Sequence, residues 1–228
     1  MKPLSPYPMI VIIPAKNEAK SVTKVVHDIQ QYFDGTILVV DDASNDNTAQ
    51  LAKQAGAKVL SLTFSLGAWG AIQTGLRYAI KHGYNTAITM DADGQHKAES
   101  IPKLLEQLGQ SCDVVIGAYP ERGSHLRHFA WALFRKISNI NLEDLTSGLR
   151  VYNRPAITLL GSRAATLLEY QDMGVLMLLN QAGLQIKEVS INMSPRTDGH
   201  SRIFSSWWAV SRYMMQTFVL CIGRRKIR

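Results

Sequence analysis

A chain of 228 residues, 46% hydrophobic, can bury a core of its own without metal or disulfide staples. Its two cysteines, Cys112 and Cys221, lie far apart and form no ligand-spaced pair. That excludes a disulfide framework and a zinc site and predicts a reducing compartment. The net charge of +7 is concentrated from Arg196 onward, where seven Lys/Arg residues accompany one acid, Asp198. The body carries no basic stripe or aromatic stacking motif, so nucleic acid is excluded and an anionic partner near the C-terminus is expected.

The N-terminal prolines follow no apolar core, so no secretory signal is expected and the chain reads as cytoplasmic. Residues 9–13 are a short apolar run ended by Pro14, which predicts a buried strand. Val22, Val25, Val26, Ile29 and Phe33 then share one helical face. Residues 36–40 predict a second strand, Leu51, Ala52 and Ala55 a helix, and residues 58–62 a third strand. Ala71, Ile72, Gly75, Leu76, Ala79 and Ile80 keep helical spacing. A strand over 86–90, a helix with Ile101, Leu104, Leu105 and Leu108, and a strand over 114–117 follow. The second half reads as a helical stretch over 124–140, a loop over 141–148, a helix over 172–182 and a strand over 186–191.

This alternation predicts an α/β fold, a doubly wound and mostly parallel sheet flanked by helices. Such sheets bind ligands at the carboxyl ends of their strands, near the topological switch point. The polar residues at those ends are therefore the candidates: 16–18, 41–42, 91–93 and 117–119. The domain is expected over 1–203, with an amphipathic, basic tail over 204–228.

The sharpest motif is Asp91-Ala92-Asp93-Gly94-Gln95-His96. Two carboxylates leaving an apolar strand repel each other and lose solvation unless a cation joins them. Mg²⁺ or Mn²⁺ suits oxygen ligands and completes its shell with water and substrate phosphates. An isolated pair of this kind is more often a solvated loop. A second acidic run, Asp41-Asp42-Ala43-Ser44-Asn45-Asp46-Asn47-Thr48, ends another strand. Asp46 or Asn47 is expected to cap the following helix, whereas Asp41 and Asp42 lie too near the strand end for capping alone.

Together with Pro14-Ala15-Lys16-Asn17-Glu18, these blocks resemble the family-2 glycosyltransferases of GT-A fold, and among them the dolichyl- and polyprenyl-phosphate sugar transferases. The resemblance continues through residues 113–117, Asp144-Leu145-Thr146-Ser147-Gly148-Leu149-Arg150, Glu188-Val189 and residues 196–202. It implies a metal-dependent, inverting transfer of sugar from a nucleoside-diphosphate donor of UDP or GDP type. Position by position, it places Pro14, Asn17 and Glu18 around the nucleoside with Asp41 or Asp42. It gives Asp91, Asp93 and Gln95 to the metal and diphosphate. Arg196 and Arg202 would close over the phosphates, and Thr146, Ser147 and Arg150 would meet the acceptor. Two departures stand out. Where many relatives read Asn-x-Gly-Lys-Gly, this chain has Ser65-Leu66-Gly67-Ala68-Trp69-Gly70, and the usual Gly-Ser-Arg is Gly117-Ala118-Tyr119.

A sugar hydroxyl acceptor needs a general base, whereas a lipid phosphate is already ionised. Asp172 stands where many relatives place an acid near the acceptor, with Glu169 as its rival; an N-cap role for Asp172 is equally open. A Rossmann dehydrogenase is excluded, because residues 14–18 are no glycine-rich phosphate turn. A non-catalytic nucleotide-binding relative stays open. The tail from Trp207 to Ile222 is apolar but shorter than the ~20 residues a spanning helix needs, and Arg212 interrupts it. With Arg224, Arg225, Lys226 and Arg228 behind it, it predicts a helix on an anionic membrane surface, peripheral on the inner face, beside a lipid-linked acceptor. Docking on the chain's own core or a homo-oligomer contact is the alternative.

Overall fold

The structure, a computed structural model, describes residues 8–108, 112–119, 140, 142–166, 168, 173–194 and 215. The first half alternates as expected: β1 (Met9–Ala15), α1 (Val22–Tyr32), β2 (Thr36–Asp41), α2 (Thr48–Gln54), β3 (Lys58–Ser61), α3 (Gly67–Lys81) and β4 (Thr86–Thr89). A 3-10 turn at Ala98–Ser100 leads into α4 (Ile101–Leu108), and β5 (Val114–Ala118) follows. Beyond them come β6 (Arg150–Asn153), α5 (Arg154–Gly161), α6 (Met173–Gln181) and β7 (Ile186–Ser190).

The strands form one sheet in the order β3-β2-β1-β4-β6-β5-β7. All neighbours are parallel except at β6, which runs antiparallel to both β4 and β5. Strand side chains alternate between the faces, so Ile10 and Ile12 join one apolar layer while Met9, Val11 and Ile13 join the other. The first layer packs under α3, α5 and α6, the second under α1, α2 and α4. Helix α3 sits unusually close to β1, because a β-carbon on Gly75 would stand 2.3 Å from Ile12 Cγ2.

β1 runs through Pro14 instead of stopping at it. Met90 donates to Ile12 O and Asp42 to Ala15 O, so even-numbered β1 residues face β4 and odd-numbered ones face β2. β4 pairs with β1 only as far as Ile12, so the missing N–H of Pro14 falls beyond the paired stretch. The sequence reading missed β6 and α5. β6 is four residues long and opens on Arg150, which breaks any apolar pattern. α5 did carry a signal, since Asn153 caps it by accepting from Ala156 N at 3.1 Å and Pro155 stands in its first turn.

Trp69, which intrudes where the resembled motif departs, belongs to the core. It is 2% exposed, and its indole Nε1 donates to Ala165 O at 2.8 Å, tying α3 to the turn after α5. The chain runs outward from β1 to β3 and returns to β4 on the other side of β1, so the switch point lies between β1 and β4. The reversed direction of β6 brings residues 144–149 to that same edge of the sheet.

Candidate active site

The loops after β1 and β2 are held together by reciprocal hydrogen bonds. Asn17 N donates to Ser44 Oγ at 2.9 Å, and Asn45 N donates to Asn17 Oδ1 at 2.8 Å. Glu18 N donates to Thr48 Oγ1 at 2.8 Å and Ala19 N to Asp46 Oδ2 at 3.2 Å. Asn17 (φ 53) and Ala43 (φ 56) take left-handed conformations, the second being costly for a residue with a β-carbon and no local side-chain hydrogen bond. Asp46 also accepts from the N–H and hydroxyl of Thr48, so it serves the start of α2 as expected. Partial burial works to raise the Asp46 carboxyl, but the bonds from the Thr48 hydroxyl, Thr48 N and Ala19 N outweigh it and hold it below its ordinary value.

Asp41 and Asp42 are both buried, at 6% and 3% exposed, and point to different tasks. Asp41 Oδ1 accepts from Ser44 N at 3.2 Å, closing its own turn. Asp42 accepts from Ser65 Oγ at 2.6 Å, Leu66 N at 2.6 Å and Gly67 N at 3.1 Å. It therefore satisfies the N-terminus of α3, a capping role at long range that no local spacing announces. Lys16 Nζ donates to the same Ser65 hydroxyl at 2.8 Å, so the β1, β2 and β3 ends share one polar network.

Asp91 and Asp93 stand on the turn that leaves β4, with Gly94 at φ 74 giving the backbone its reversal. Asp93 Oδ1 accepts from Gln95 N at 3.1 Å, and Gln95 O accepts from Ser194 N at 2.8 Å. The Asp91 side chain, 45% exposed, lies against Gly148, where a β-carbon would fall 2.3 Å from Oδ2. Thr89 Oγ1 fixes that glycine by donating to Gly148 O at 2.9 Å. Beneath Asp91 lies His96, wholly buried, with Nε2 3.3 Å from Asp91 Oδ2. Among the described residues no cluster of three His, Cys, Asp or Glu side chains is ready-made for a cation. Two carboxylates at a strand end, one part-exposed and seated in a glycine cradle, still fit a hard cation that takes its other ligands from an amide, water and phosphate.

Thr146, Ser147 and Arg150 lie on the loop that reaches this edge. Asp144, wholly buried, accepts from Thr146 N at 3.1 Å and Tyr119 N at 3.2 Å. Ser147 Oγ donates to Gly117 O at 2.5 Å. Arg150 is buried and donates from Nε to Ser147 O at 2.8 Å and from Nη2 to Leu145 O at 3.0 Å. Ser147 and Arg150 thus spend these groups on backbone carbonyls of the loop and of β5, while Thr146 stays half-buried. Glu188 braces the loop from β7, accepting from Glu143 N at 2.6 Å and Asp144 N at 2.8 Å. Burial pushes the Glu188 carboxyl above its ordinary value; those two donors offset part of this, and the Asp144 and Glu143 carboxylates add to the rise.

Of the expected site residues, Pro14, Asn17, Glu18, Asp41, Asp42, Asp91, Asp93, Gln95, Thr146, Ser147 and Arg150 gather at one edge of the sheet. Asp172, Arg196, Arg202, the tail over 204–228 and the helical stretch over 124–140 lie outside the described residues, apart from Ile140 and Met215. Sequence reasoning passed over Gly148 and His96. Both stand inside motifs it quoted, but their contacts with Asp91 cross the sheet edge and leave no periodic trace.

The sequence pattern described as Glycosyl transferase family 2 matches residues 10–165, and the chain belongs to that family. It is a glycosyltransferase of GT-A fold. An undecaprenyl-phosphate mannosyltransferase from Micrococcus luteus is 30% identical over 212 residues, 86% of this chain and 87% of that one. A polyprenol monophosphomannose synthase from Mycolicibacterium smegmatis is 29% identical over 65% of this chain and 62% of that one. The crystal structure of glucosyl-3-phosphoglycerate synthase from Mycobacterium tuberculosis, in complex with Mn²⁺, UDP and phosphoglyceric acid, superposes with a TM-score of 0.74. That match covers 98% of this chain and 80% of the other at 20% identity, which speaks for the fold.

Proposed function

We propose that the chain moves a sugar from a nucleoside-diphosphate sugar to a polyprenyl phosphate with the help of Mg²⁺ or Mn²⁺. The observation that carries this is the Asp91–Asp93 turn at the switch point, with Asp91 seated against Gly148. The names of the Micrococcus and Mycolicibacterium relatives support the acceptor, and the Mn²⁺ and UDP of the structural neighbour support the donor and metal. Asp91, Asp93 and Gln95 would hold the cation, whose chemistry is to neutralise charge on the departing diphosphate.

The remaining work falls to the chain's own groups. Pro14, Asn17 and Glu18, with Asp41 or Asp42, form the nucleoside end, where the zipped loops hold a fixed shape before the donor arrives. Arg196 and Arg202 clamp the phosphates through bidentate guanidinium contacts. The loop of Thr146, Ser147 and Arg150 aligns the acceptor, its backbone held by the buried Arg150 and Ser147 side chains. A lipid phosphate attacks as an ionised oxygen, so Asp172 has no proton to remove and the reaction inverts the anomeric carbon in one displacement. Among the described residues no helix is long and apolar enough to cross a membrane. The apolar, basic tail over 204–228 would instead bring the enzyme to an anionic membrane surface, where each basic residue contributes about 1 kcal/mol.

The test is an assay with undecaprenyl phosphate in anionic liposomes, Mn²⁺, and UDP- and GDP-sugars in turn. Release of nucleoside diphosphate should require both lipid and cation, stop with EDTA, and proceed at near-normal rate in Asp172→Asn. Full turnover in excess EDTA would remove the metal. A sugar hydroxyl acceptor, with Asp172→Asn losing about 10²–10⁴ in rate, would replace the lipid phosphate.

A further inference from the structure

His96 has an environment that the proposed chemistry does not by itself explain. Its side chain is wholly buried, and neither ring nitrogen has a hydrogen-bond partner. A buried imidazole left in that condition is costly to a fold and calls for a physical explanation. The polar atom it approaches is Oδ2 of Asp91, 3.3 Å from Nε2, at ion-pair distance but off the line of a hydrogen bond. On its other side the same carboxylate meets Gly148, whose missing side chain is what lets it sit there.

The backbone of His96 is fixed independently of Asp91. It forms an antiparallel bridge with Met193, and the adjoining Gln95 O accepts from Ser194 N at 2.8 Å. The imidazole therefore stands on two segments, the turn after β4 and the strand exit after β7, and not on the carboxylate it faces. The Asp91 carboxylate lies against both this imidazole and Gly148.

We infer that His96 is a positioning residue for Asp91: its Nε2–H is reserved for Oδ2 and fixes the carboxylate rotamer in which the exposed part of the group serves a divalent cation. The inference rests on the metal-dependent reading above. Carboxylate ligands are ordinarily held by such outer partners, whose loss costs about 10–100-fold in metal affinity. Only a small reorientation of Asp91 separates the 3.3 Å approach from a hydrogen bond, and the Gly148 wall limits the directions it can take.

Calorimetric titration of UDP and of GDP into the full-length protein, with and without Mn²⁺, tests this without reference to turnover. In the wild type, Mn²⁺ should tighten binding of one nucleotide. His96→Leu fills the same space without a donor and should lose about 10–100-fold of that Mn²⁺-dependent gain, with metal-free nucleotide affinity unchanged. His96→Gln, which can still present an N–H, should recover most of it. In an Asp91→Asn background, His96→Leu should produce no further loss, because the two act through one carboxylate. If wild type and His96→Leu show the same Mn²⁺ gain, or if Leu and Gln variants lose it equally, the positioning role is wrong while the metal reading stands. If the wild type shows no Mn²⁺ gain with either nucleotide, the metal reading falls and this inference falls with it. Should His96→Leu fail to fold, His96→Gln and the Asp91→Asn pair decide alone: loss of the gain in Gln equal to that in Asp91→Asn overturns the inference, and retention supports it.

Discussion

Asp91 rests its carboxylate on the α-carbon of Gly148, and a β-carbon there would stand 2.3 Å from Oδ2 and 2.6 Å from Cγ. Neither distance is tolerable, so Gly148→Ala must displace Asp91 or the loop carrying residues 144–149. If Asp91 holds the cation as proposed, a displacement of about 1 Å there costs on the order of 10²-fold in turnover. Gly148→Ala should therefore fold, with a circular-dichroism melt near that of the wild type, and lose about that much in kcat. An unchanged kcat would mean that the Asp91 rotamer does not matter.

Asp42 accepts three hydrogen bonds that organise the start of α3. Asp42→Ala leaves Leu66 N and Gly67 N without their acceptor and should cost about 2–3 kcal/mol in urea denaturation. Asp42→Asn keeps one oxygen and should cost roughly half as much. If instead Asp42→Ala melts like the wild type but loses nucleotide binding, Asp42 serves the donor directly and the cap is incidental.

Trp69 should behave as a core residue and not as a donor contact. Trp69→Ala should cost about 3–5 kcal/mol, the usual range for an aromatic truncated in a core. Trp69→Phe keeps most of the volume and loses one hydrogen bond, while Ala165 O still accepts from Leu168 N at 3.3 Å, so it should cost only about 0.5–1.5 kcal/mol. Nucleotide affinity of the folded Phe variant should match the wild type. A selective loss of affinity at unchanged stability would contradict this placement.

The hydrogen bonds to Asp46 make a pH-dependent contribution whose sign is fixed by its lowered pKa. A carboxyl that binds protons less readily when folded adds stability above its unfolded value of 3.8, and that share is lost as the pH falls through the lower folded value. The gap in stability between wild type and Asp46→Asn should thus be widest near neutrality and shrink on acidification below 3.8. A gap independent of pH would show that the charge on Asp46 plays no part.

The apolar runs by themselves determined that β1 to β5, and the helices between them, alternate in a doubly wound sheet. Each run buries one continuous face, and that requirement is written locally, in periods of two and 3.6 residues. The sequence likewise marked Asp91 and Asp93, because two carboxylates leaving a buried strand repel each other and lose solvation, and they stand in order with the blocks at 14–18 and 41–48. The place of β6 was not legible, since its pairing with β4 and β5 depends on chain direction and sheet order and not on its own four residues. The same reversal is what carries Gly148 to Asp91, 57 positions away in number and in contact in space. That Asp42 also holds the start of α3 was not legible, because its partners at 65–67 lie on another strand's exit, and neither was the place of His96, whose bridge partner Met193 lies beyond β7. Local patterning decides which residues must be inside; only tertiary structure decides which buried polar groups meet, because those contacts are made between elements whose separation in sequence carries no period.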